Sequence, residues 1–179
     1  MAKPWKQISK RYVFELSPHV KVRRDLVLRP DGCKVKYAVL EYPETAVIVP
    51  VGKDGKIFMV RLWRYPLNKE ELELPMGSAD AGESLESAAR RELREETGLA
   101  AREIKELGMF YPSPGKSGSA ARVYLARGLS GKPCVTDKNE ITGVEAHSLK
   151  EIKEYIKEGV IRDAFTIAAM CYYEQTTGG

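Results

Sequence analysis

Cysteine and histidine are scarce in this chain, which has three cysteines and two histidines among 179 residues. Cys33, Cys134 and Cys171 are odd in number, widely spaced and without a CxxC pair. This usage argues against a disulfide framework or a zinc site and favours reduced thiols in a cytoplasmic protein. His19 and His147 each stand alone in a predicted strand, and we assign neither of them a role.

Long apolar runs are also missing, and no stretch approaches the roughly 20 apolar residues that a membrane span needs. Residues 1–10 carry three lysines without the apolar core of a secretory signal. We therefore expect no membrane partner. The formal net charge of +4 is compatible with an anionic ligand, but the chain has no basic run of the kind that indicates nucleic-acid binding.

Hydrophobic residues make up 43% of the chain, enough for the core of an ordinary globular domain. Periodicity and turn residues predict many strands, one central helix and two terminal helices. The predicted strands are 12–16, 20–28, 33–41, 46–51, 57–65, 104–111, 121–126 and 142–147, and the predicted helices are 84–97, 149–158 and 162–174. This order predicts an α/β class of fold, a helix–sheet–helix sandwich around a mixed sheet.

Glutamates crowd into one short segment of this otherwise basic chain, between Glu83 and Glu96. In the predicted helix 84–97, Glu92, Glu95 and Glu96 stand at i, i+3 and i+4 and share one face. Like charges at this spacing cost about 0.2–0.5 kcal/mol per pair, so a helix that needed only a polar face would do better with alternating signs. An apolar stripe directs the opposite face into the core: Leu85, Ala88, Ala89 and Leu93.

Oxygen ligands with no nearby histidine or cysteine suit Mg²⁺ or Mn²⁺ rather than zinc. Such ions would cancel the carboxylate repulsion, attract a phosphate and activate a water molecule. The alternative is a solvated acidic helix face with incidental glycines, and the joint spacing favours the metal site.

The segment from Gly77 to Leu99 resembles the Nudix box at every defining position. Those positions are Gly77, Glu83, Arg91, Glu92, Leu93, Glu95, Glu96, Gly98 and Leu99. The resemblance implies a Nudix α/β/α sandwich, a loop–helix–loop site for two or three Mg²⁺ ions, with Mn²⁺ as the substitute, and hydrolysis of a nucleoside diphosphate linked to another group. In the catalytic machinery, Arg91 and Glu83 would form an ion pair that orients the ligands.

By position in the family, Glu92 and Glu96 resemble the main metal ligands, with Glu95 in support. The backbone carbonyl of Met76, just before the box, is similar to a further ligand site. Relatives usually take the catalytic base from a late acidic loop. There Glu140 has the position of an acid that binds metal or activates water, and Glu95 is our second choice for the base. Lys138 stands where some relatives have a second acid, so the chain departs from the pattern at that residue.

The flanks of the box resemble the ADP-ribose pyrophosphatase branch of the family. The segments that carry this resemblance are 5–6, 11–14, 62–66, 73–77, 111–115, 159–163 and 166–168. The branch implies hydrolysis of ADP-ribose, a small-molecule nucleotide sugar, to AMP and ribose 5-phosphate. It also implies an N-terminal antiparallel β subdomain, residues 1–44, that dimerises and completes the substrate site, a Nudix domain, residues 45–179, and a homodimer.

The same resemblance implies the substrate contacts. Arg64 would contact phosphates or the base, and its alternative is an ordinary strand arginine. The loop at Pro114 and Gly115 would approach the terminal sugar with backbone groups, and its alternative is a tight turn. Trp5 and Tyr37 stand where relatives place aromatic residues that stack on the base, although strand packing is the better explanation for Tyr37.

Three rival functions remain open. The first is a Nudix enzyme for GDP-mannose, another nucleotide sugar or a dinucleotide. The second is a non-catalytic module that senses a nucleotide, against which the complete set of box carboxylates argues. The third is a generic structural domain, which leaves the clustered glutamates without a purpose.

Overall fold

The computed structural model describes residues 3–17, 19–135 and 140–177. The α/β class and the mixed sheet predicted from the sequence are confirmed. The chain divides into two compact units. Unit 1 comprises residues 1–43 and 111–119, and unit 2 comprises residues 44–110 and 120–179. Unit 1 thus includes residues 111–119, which the domain division expected from the sequence, 1–44 and 45–179, places in the second domain.

Unit 1 is built on a three-stranded antiparallel sheet in the order β1–β2–β3. Its strands are β1 (Lys6–Ser17), β2 (Val20–Leu28) and β3 (Lys34–Glu41). The turn before β3 contains Gly32 in the left-handed region, at φ 84°, where a side chain would be strained. The 111–119 segment joins this unit through a hydrogen bond of 2.8 Å from the Leu40 amide to the Lys116 carbonyl.

Unit 2 contains two sheets, one in the order β10–β5–β6 and one in the order β7–β4–β9–β8. Their strands are β4 (Thr45–Pro50), β5 (Ile57–Arg64), β6 (Lys69–Glu73), β7 (Met76–Ser78), β8 (Leu99–Phe110), β9 (Ala121–Gly131) and β10 (Ile141–His147). The sequence did not predict β6 and β7. β6 reads KEELE, a charged segment that lacks the usual strand composition, and β7 has three residues, one of them glycine.

β4 lies in the middle of the core and is buried along nearly its whole length, as its continuous apolar run predicts. Ala46 and Ile48 pack in a cluster with the helix α1 (Leu85–Thr97). Val47 and Val49 belong to a second cluster with residues of α2 (Leu149–Lys157) and α3 (Ala164–Thr177). Alternate residues of one strand therefore face helices on opposite sides of the sheet, which is the predicted sandwich.

The ends of α1 follow from local chemistry. Ser84 accepts a hydrogen bond of 3.1 Å from the Ser87 amide, and Gly98 ends the helix at φ 70°. α3 begins two residues later than predicted because the Asp163 carboxylate accepts a bond of 2.7 Å from the Thr166 amide. In the described parts of the chain, no helix is long and apolar enough to cross a membrane.

Candidate active site

The short strand β7 lies against the acidic face of α1. The Met76 amide donates a hydrogen bond of 3.0 Å to Oε2 of Glu96. A Cβ built on Gly77 would overlap the carboxylate of Glu92, so glycine is what allows the strand and this side chain to approach. On the inner side of α1, the predicted apolar stripe holds the helix in place, since Ala88, Ala89 and Leu93 are buried and Leu85 is partly so.

Burial dominates the electrostatics of the two central glutamates. It raises the pKa of Glu96 to about 8, against the opposing hydrogen bond from the Met76 amide. Burial also raises the pKa of Glu92, while Arg91 opposes that shift. Repulsion from the carboxylates of Glu92 and Glu140 raises the pKa of Glu96 further. A cation placed beside Glu96 would favour its charged form.

Arg91 lies at the centre of a charge network beside these glutamates. Its guanidinium donates to Glu83, with Nη2 2.8 Å from Oε2, and to Glu92, with Nη1 2.6 Å from Oε1. Further bonds reach Glu95, at 3.1 Å, and the carbonyl oxygen of Ser78 on β7, at 2.9 Å. The predicted contact between Arg91 and Glu83 is therefore present, and the same side chain also joins α1 to β7.

The residues of this region suit a hard divalent cation. Glu92, Glu95 and Glu96 supply oxygen donors, and the absence of a side chain at Gly77 lets the carboxylate of Glu92 lie directly against β7. Within residues 3–17, 19–135 and 140–177, no three acidic, histidine or cysteine side chains converge as a metal-binding group. Two of the carboxylates bind Arg91 instead, and Glu96 binds the amide of Met76, the residue whose carbonyl was the predicted ligand.

Arg64, at the end of β5, connects two acidic residues from different elements. Its Nε and Nη2 donate to Oε1 and Oε2 of Glu73 at 3.0 and 2.6 Å. Its Nη1 donates to Oε1 of Glu140 at 3.0 Å. Glu140 is the last residue of the predicted acidic loop, residues 136–140, and the other residues of that loop, including Lys138, lie outside the described residues. Sequence reasoning missed the role of Glu73, which it noted only as part of a flanking motif. The available signal was a charged residue in the apolar context of Leu72 and Leu74.

A cavity of about 400 Å³ lies beside Arg64 and Glu73. Its other lining residues come from the turn after β5, from β6 and from the start of α3: Pro66, Leu67, Lys69, Glu71, Arg162 and Asp163. Glu71 is 3% exposed and forms ion pairs with Lys69 and Arg162. The cavity therefore has charged walls, in which Glu71 and Glu73 are paired with basic residues and Asp163 accepts a hydrogen bond from the Thr166 amide.

Unit 1 brings together three of the predicted substrate residues. The rings of Trp5 and Tyr37 meet edge to face, with centroids 6.2 Å apart. The Tyr37 hydroxyl donates a hydrogen bond of 2.6 Å to the carbonyl oxygen of Gly115, beside Pro114. The Arg29 guanidinium lies 5.7 Å from the ring centre of Trp5, which is 51% exposed. An exposed aromatic face next to a cation is suited to stacking on a nucleobase.

Sequence and structure comparisons define the class of protein. The model of the NUDIX domain matches residues 41–167, so the chain belongs to the Nudix family and is a Nudix hydrolase. Enzymes of this family generally use divalent metal ions, in agreement with the oxygen donors on α1.

Three curated relatives cover most of the chain. An ADP-ribose pyrophosphatase of Bacillus subtilis (strain 168) is 32% identical over 147 residues, which are 81% of this chain and 80% of the relative. An ADP-ribose pyrophosphatase of Mycobacterium tuberculosis is 34% identical over 161 residues, 88% of this chain and 78% of the relative. A methanol dehydrogenase activator of Bacillus methanolicus is 34% identical over 157 residues, 87% and 85% of the two chains.

A solved structure described as an ADP compounds hydrolase supports the fold. It matches with a TM-score of 0.85 and covers 99% of this chain and 98% of its own. Because the two sequences are 21% identical, the match concerns the fold alone.

Proposed function

We propose that this chain hydrolyses the pyrophosphate bond of a nucleoside diphosphate sugar, and that its substrate is ADP-ribose, giving AMP and ribose 5-phosphate. The observation that carries this proposal is the approach of β7 to the acidic face of α1, where Gly77 meets Glu92 and the Met76 amide binds Glu96. The choice of ADP-ribose is supported by two relatives named ADP-ribose pyrophosphatases, at 32% and 34% identity over about four fifths of the chain or more.

Mg²⁺ is the proposed cofactor, with two or three ions and with Mn²⁺ as its substitute. Glu92 and Glu96 would be the main ligands, with further oxygen atoms from Glu95, Glu140 and the Met76 carbonyl. When bound, the metal supplies an activated water molecule and offsets the negative charge on the phosphates. The carboxylate of Glu92 lies against Gly77, where any larger residue on β7 would overlap it.

The proposed roles of the protein groups follow from their chemistry. Glu140 accepts the proton of the attacking water, and Glu95 is the second candidate for this base. Both carboxylates are about half exposed, at 52% and 55%, so solvent reaches them. Arg91 and Glu83 orient the ligands. Arg64 uses three of its five N–H donors on Glu73 and Glu140, which leaves two for a phosphate oxygen.

In unit 1, Trp5 would stack on the nucleobase and Tyr37 would hold the turn at Pro114 and Gly115, whose backbone groups would meet the terminal sugar. Stacking on an aromatic ring contributes about 1–3 kcal/mol and tolerates any base. We therefore expect ADP-ribose hydrolysis with measurable activity on another nucleotide sugar, and poor hydrolysis of free nucleoside triphosphates, which lack the terminal sugar.

We further propose a homodimer in the cytoplasm. The sheet of unit 1 exposes a set of large apolar side chains, which a partner chain would cover. They are Ile8, Tyr12, Val13, Phe14, Val20 and Leu40, each 37–54% exposed. The cytoplasmic location is supported by three cysteines that are all free and exposed, as in a reducing compartment.

The test is kcat/KM for ADP-ribose, GDP-mannose and dGTP at one Mg²⁺ concentration, with released monophosphate identified. ADP-ribose should be preferred, and activity should vanish when the metal is chelated. A clear preference for GDP-mannose would keep the nucleotide-sugar class and refute ADP-ribose. A preference for dGTP would refute the assignment to the ADP-ribose pyrophosphatase branch but not the membership of the Nudix family. Binding of any of the three nucleotides without turnover would favour the non-catalytic module that senses a nucleotide.

A further inference from the structure

Glu73 is a buried carboxylate that no role in the Nudix box accounts for. It ends β6 and its side chain is 4% exposed. Both carboxylate oxygens accept bonds from Arg64, at 3.0 and 2.6 Å, in a paired geometry that fixes the guanidinium in orientation as well as in position. Burial raises the pKa of Glu73 and the bonds from Arg64 oppose that shift, so the pair is mutually dependent.

The free edge of the same guanidinium reaches Glu140. Nη1 of Arg64 lies 3.0 Å from Oε1 of Glu140. The backbone of Glu140 is held at the same place, because its carbonyl oxygen accepts a bond of 3.0 Å from the Trp63 amide. The side chain itself is 52% exposed, and exposed carboxylates ordinarily sample several rotamers. The contact with Arg64 therefore selects one orientation for a side chain that would otherwise be mobile.

We propose that Glu73 is a positioning residue, which fixes Arg64 and through it holds the carboxylate of Glu140 in the orientation needed for catalysis. The inference rests on the proposed function, in which Glu140 is the base. The three residues lie at the end of β6, at the end of β5 and just before β10. Glu73, the buried member, is three residues before Met76, whose amide binds Glu96. A misplacement of about 1 Å at a reacting group can cost 10²-fold in rate.

A merely structural ion pair would have different consequences. If Glu73 only stabilised the fold, Glu73→Gln would lower the melting temperature and leave kcat of the folded protein unchanged. If it positions Glu140, Glu73→Gln would lower kcat with little change in KM, because the substrate's own contacts remain. The effect would also disappear in a protein whose Glu140 is already replaced, since groups that act through one another are not additive.

The chain offers a matched control on the same strand. Arg61, three residues before Arg64 on β5, forms a paired bond with Glu145 at 2.6 and 3.1 Å. The two arginine side chains are nearly equally exposed, at 34% and 33%, and the two carboxylates differ in burial, since Glu145 is 34% exposed and Glu73 is 4% exposed. Glu145→Gln therefore breaks an arginine–glutamate pair of the same geometry without touching Glu140 or the acidic face of α1.

The experiment compares kcat and KM for ADP-ribose in the wild type, Glu73→Gln, Glu140→Gln, the double variant and Glu145→Gln, all at a temperature where each is folded. We expect Glu73→Gln to lose roughly 10–100-fold in kcat, Glu140→Gln to lose at least as much, and the double variant to match Glu140→Gln within about twofold. Glu145→Gln should stay within about twofold of the wild type. The proposal would be overturned if the kcat losses of Glu73→Gln and Glu140→Gln multiplied in the double variant. It would also be overturned if Glu145→Gln lost as much kcat as Glu73→Gln.

A crystal structure of Glu73→Gln provides a readout that needs no substrate. Arg64 should turn away from Glu140, and the Glu140 side chain should leave the position it has in the wild type, with Arg61 and Glu145 still paired. An unmoved Glu140 would overturn the proposal even if kcat fell. If the wild type fails to hydrolyse ADP-ribose, the proposed function is refuted, while the crystal structure still decides whether Glu73 positions Glu140.

Discussion

Gly77 and Glu92 approach so closely that a methyl group on Gly77 would overlap the carboxyl carbon and both oxygens of Glu92. We predict that Gly77→Ala displaces either β7 or the Glu92 side chain. The overlapped atoms are the end of a flexible side chain, so the shift should cost little stability. The displaced carboxylate should nevertheless weaken Mn²⁺ binding, measured by titration of the metal-free protein, and lower kcat.

Gly118→Ala is the control for this substitution. An added Cβ at Gly118 meets no atom within 4 Å, and the residue has an ordinary backbone conformation. It should leave metal binding and turnover unchanged. Wild-type Mn²⁺ affinity and kcat in Gly77→Ala would show that the strand and the carboxylate need not be so close.

Replacing Glu92 or Glu96 by Gln should abolish most turnover without unfolding the protein. Burial raises the pKa of Glu96, so a neutral glutamine at that position removes the cost of burying a charge. At Glu96, glutamine can still accept the bond of 3.0 Å from the Met76 amide. Thermal unfolding of metal-free Glu96→Gln should therefore match or slightly exceed the wild type, whereas Glu92→Gln weakens the ion pair of 2.6 Å with Arg91 and should be slightly less stable. Near-wild-type kcat for Glu96→Gln at saturating Mg²⁺ would refute the metal-site assignment.

Much of the fold could be predicted because its signals are local. The run at 46–51 predicted a strand buried on both faces, and Ser84 and Gly98 are the cap residues that the helix needs. β6 was missed because burial there depends on partners from elsewhere in the chain. Glu71 and Glu73 are 3% exposed, yet a pattern of charges ordinarily indicates solvent.

The candidate site, too, could be predicted where its signals are local and not where they depend on distant residues. Helical spacing predicts that Glu92, Glu95 and Glu96 share one face. In the structure Glu92 and Glu96 lie against β7, and Glu95 accepts a bond from Arg91. Arg64 lies 9 residues from Glu73 and 76 residues from Glu140 in the sequence, and no local pattern relates the three. Long-range side-chain pairing is set by the packing of sheets, which periodicity alone does not specify.

Two adjacent arginines on α1 should differ sharply in function. Arg91 binds Glu83, Glu92, Glu95 and Ser78, whereas Arg90 binds Glu86 and the Ala101 carbonyl, neither of them among the acidic residues of the candidate metal site. We predict that Arg91→Ala reduces metal affinity or activity by about 10–100-fold, the usual effect of removing a group that orients metal ligands. Arg90→Ala should remain within about twofold of the wild type in both Mn²⁺ binding and kcat. Equal losses in the two variants would mean that Arg91 acts only on helix stability.

The pair of Arg61 and Glu145 predicts a dependence of stability on pH that is separate from catalysis. The hydrogen bonds from Arg61 lower the pKa of Glu145 below its ordinary value of 4.5, and the contact with His147, at 3.0 Å, acts in the same direction. A carboxylate with a depressed pKa in the folded state stabilises the protein above the unfolded pKa, and that contribution is lost as pH falls through the folded value.

Glu145→Gln should therefore be less stable than the wild type at pH 7, and the difference should shrink as pH falls below 4.5. Because both side chains are 34% exposed, solvent screens the pair and the loss at pH 7 should be about 1 kcal/mol or less. Urea unfolding at pH 7, 5, 4 and 3.5 measures the difference. Glu154→Gln, which removes an exposed carboxylate 3.4 Å from Lys157, is the surface control and should stay within about 0.5 kcal/mol of the wild type. A deficit of Glu145→Gln that is the same at every pH would show that the substitution acts through packing, and that the charge on Glu145 contributes nothing to the stability of the fold.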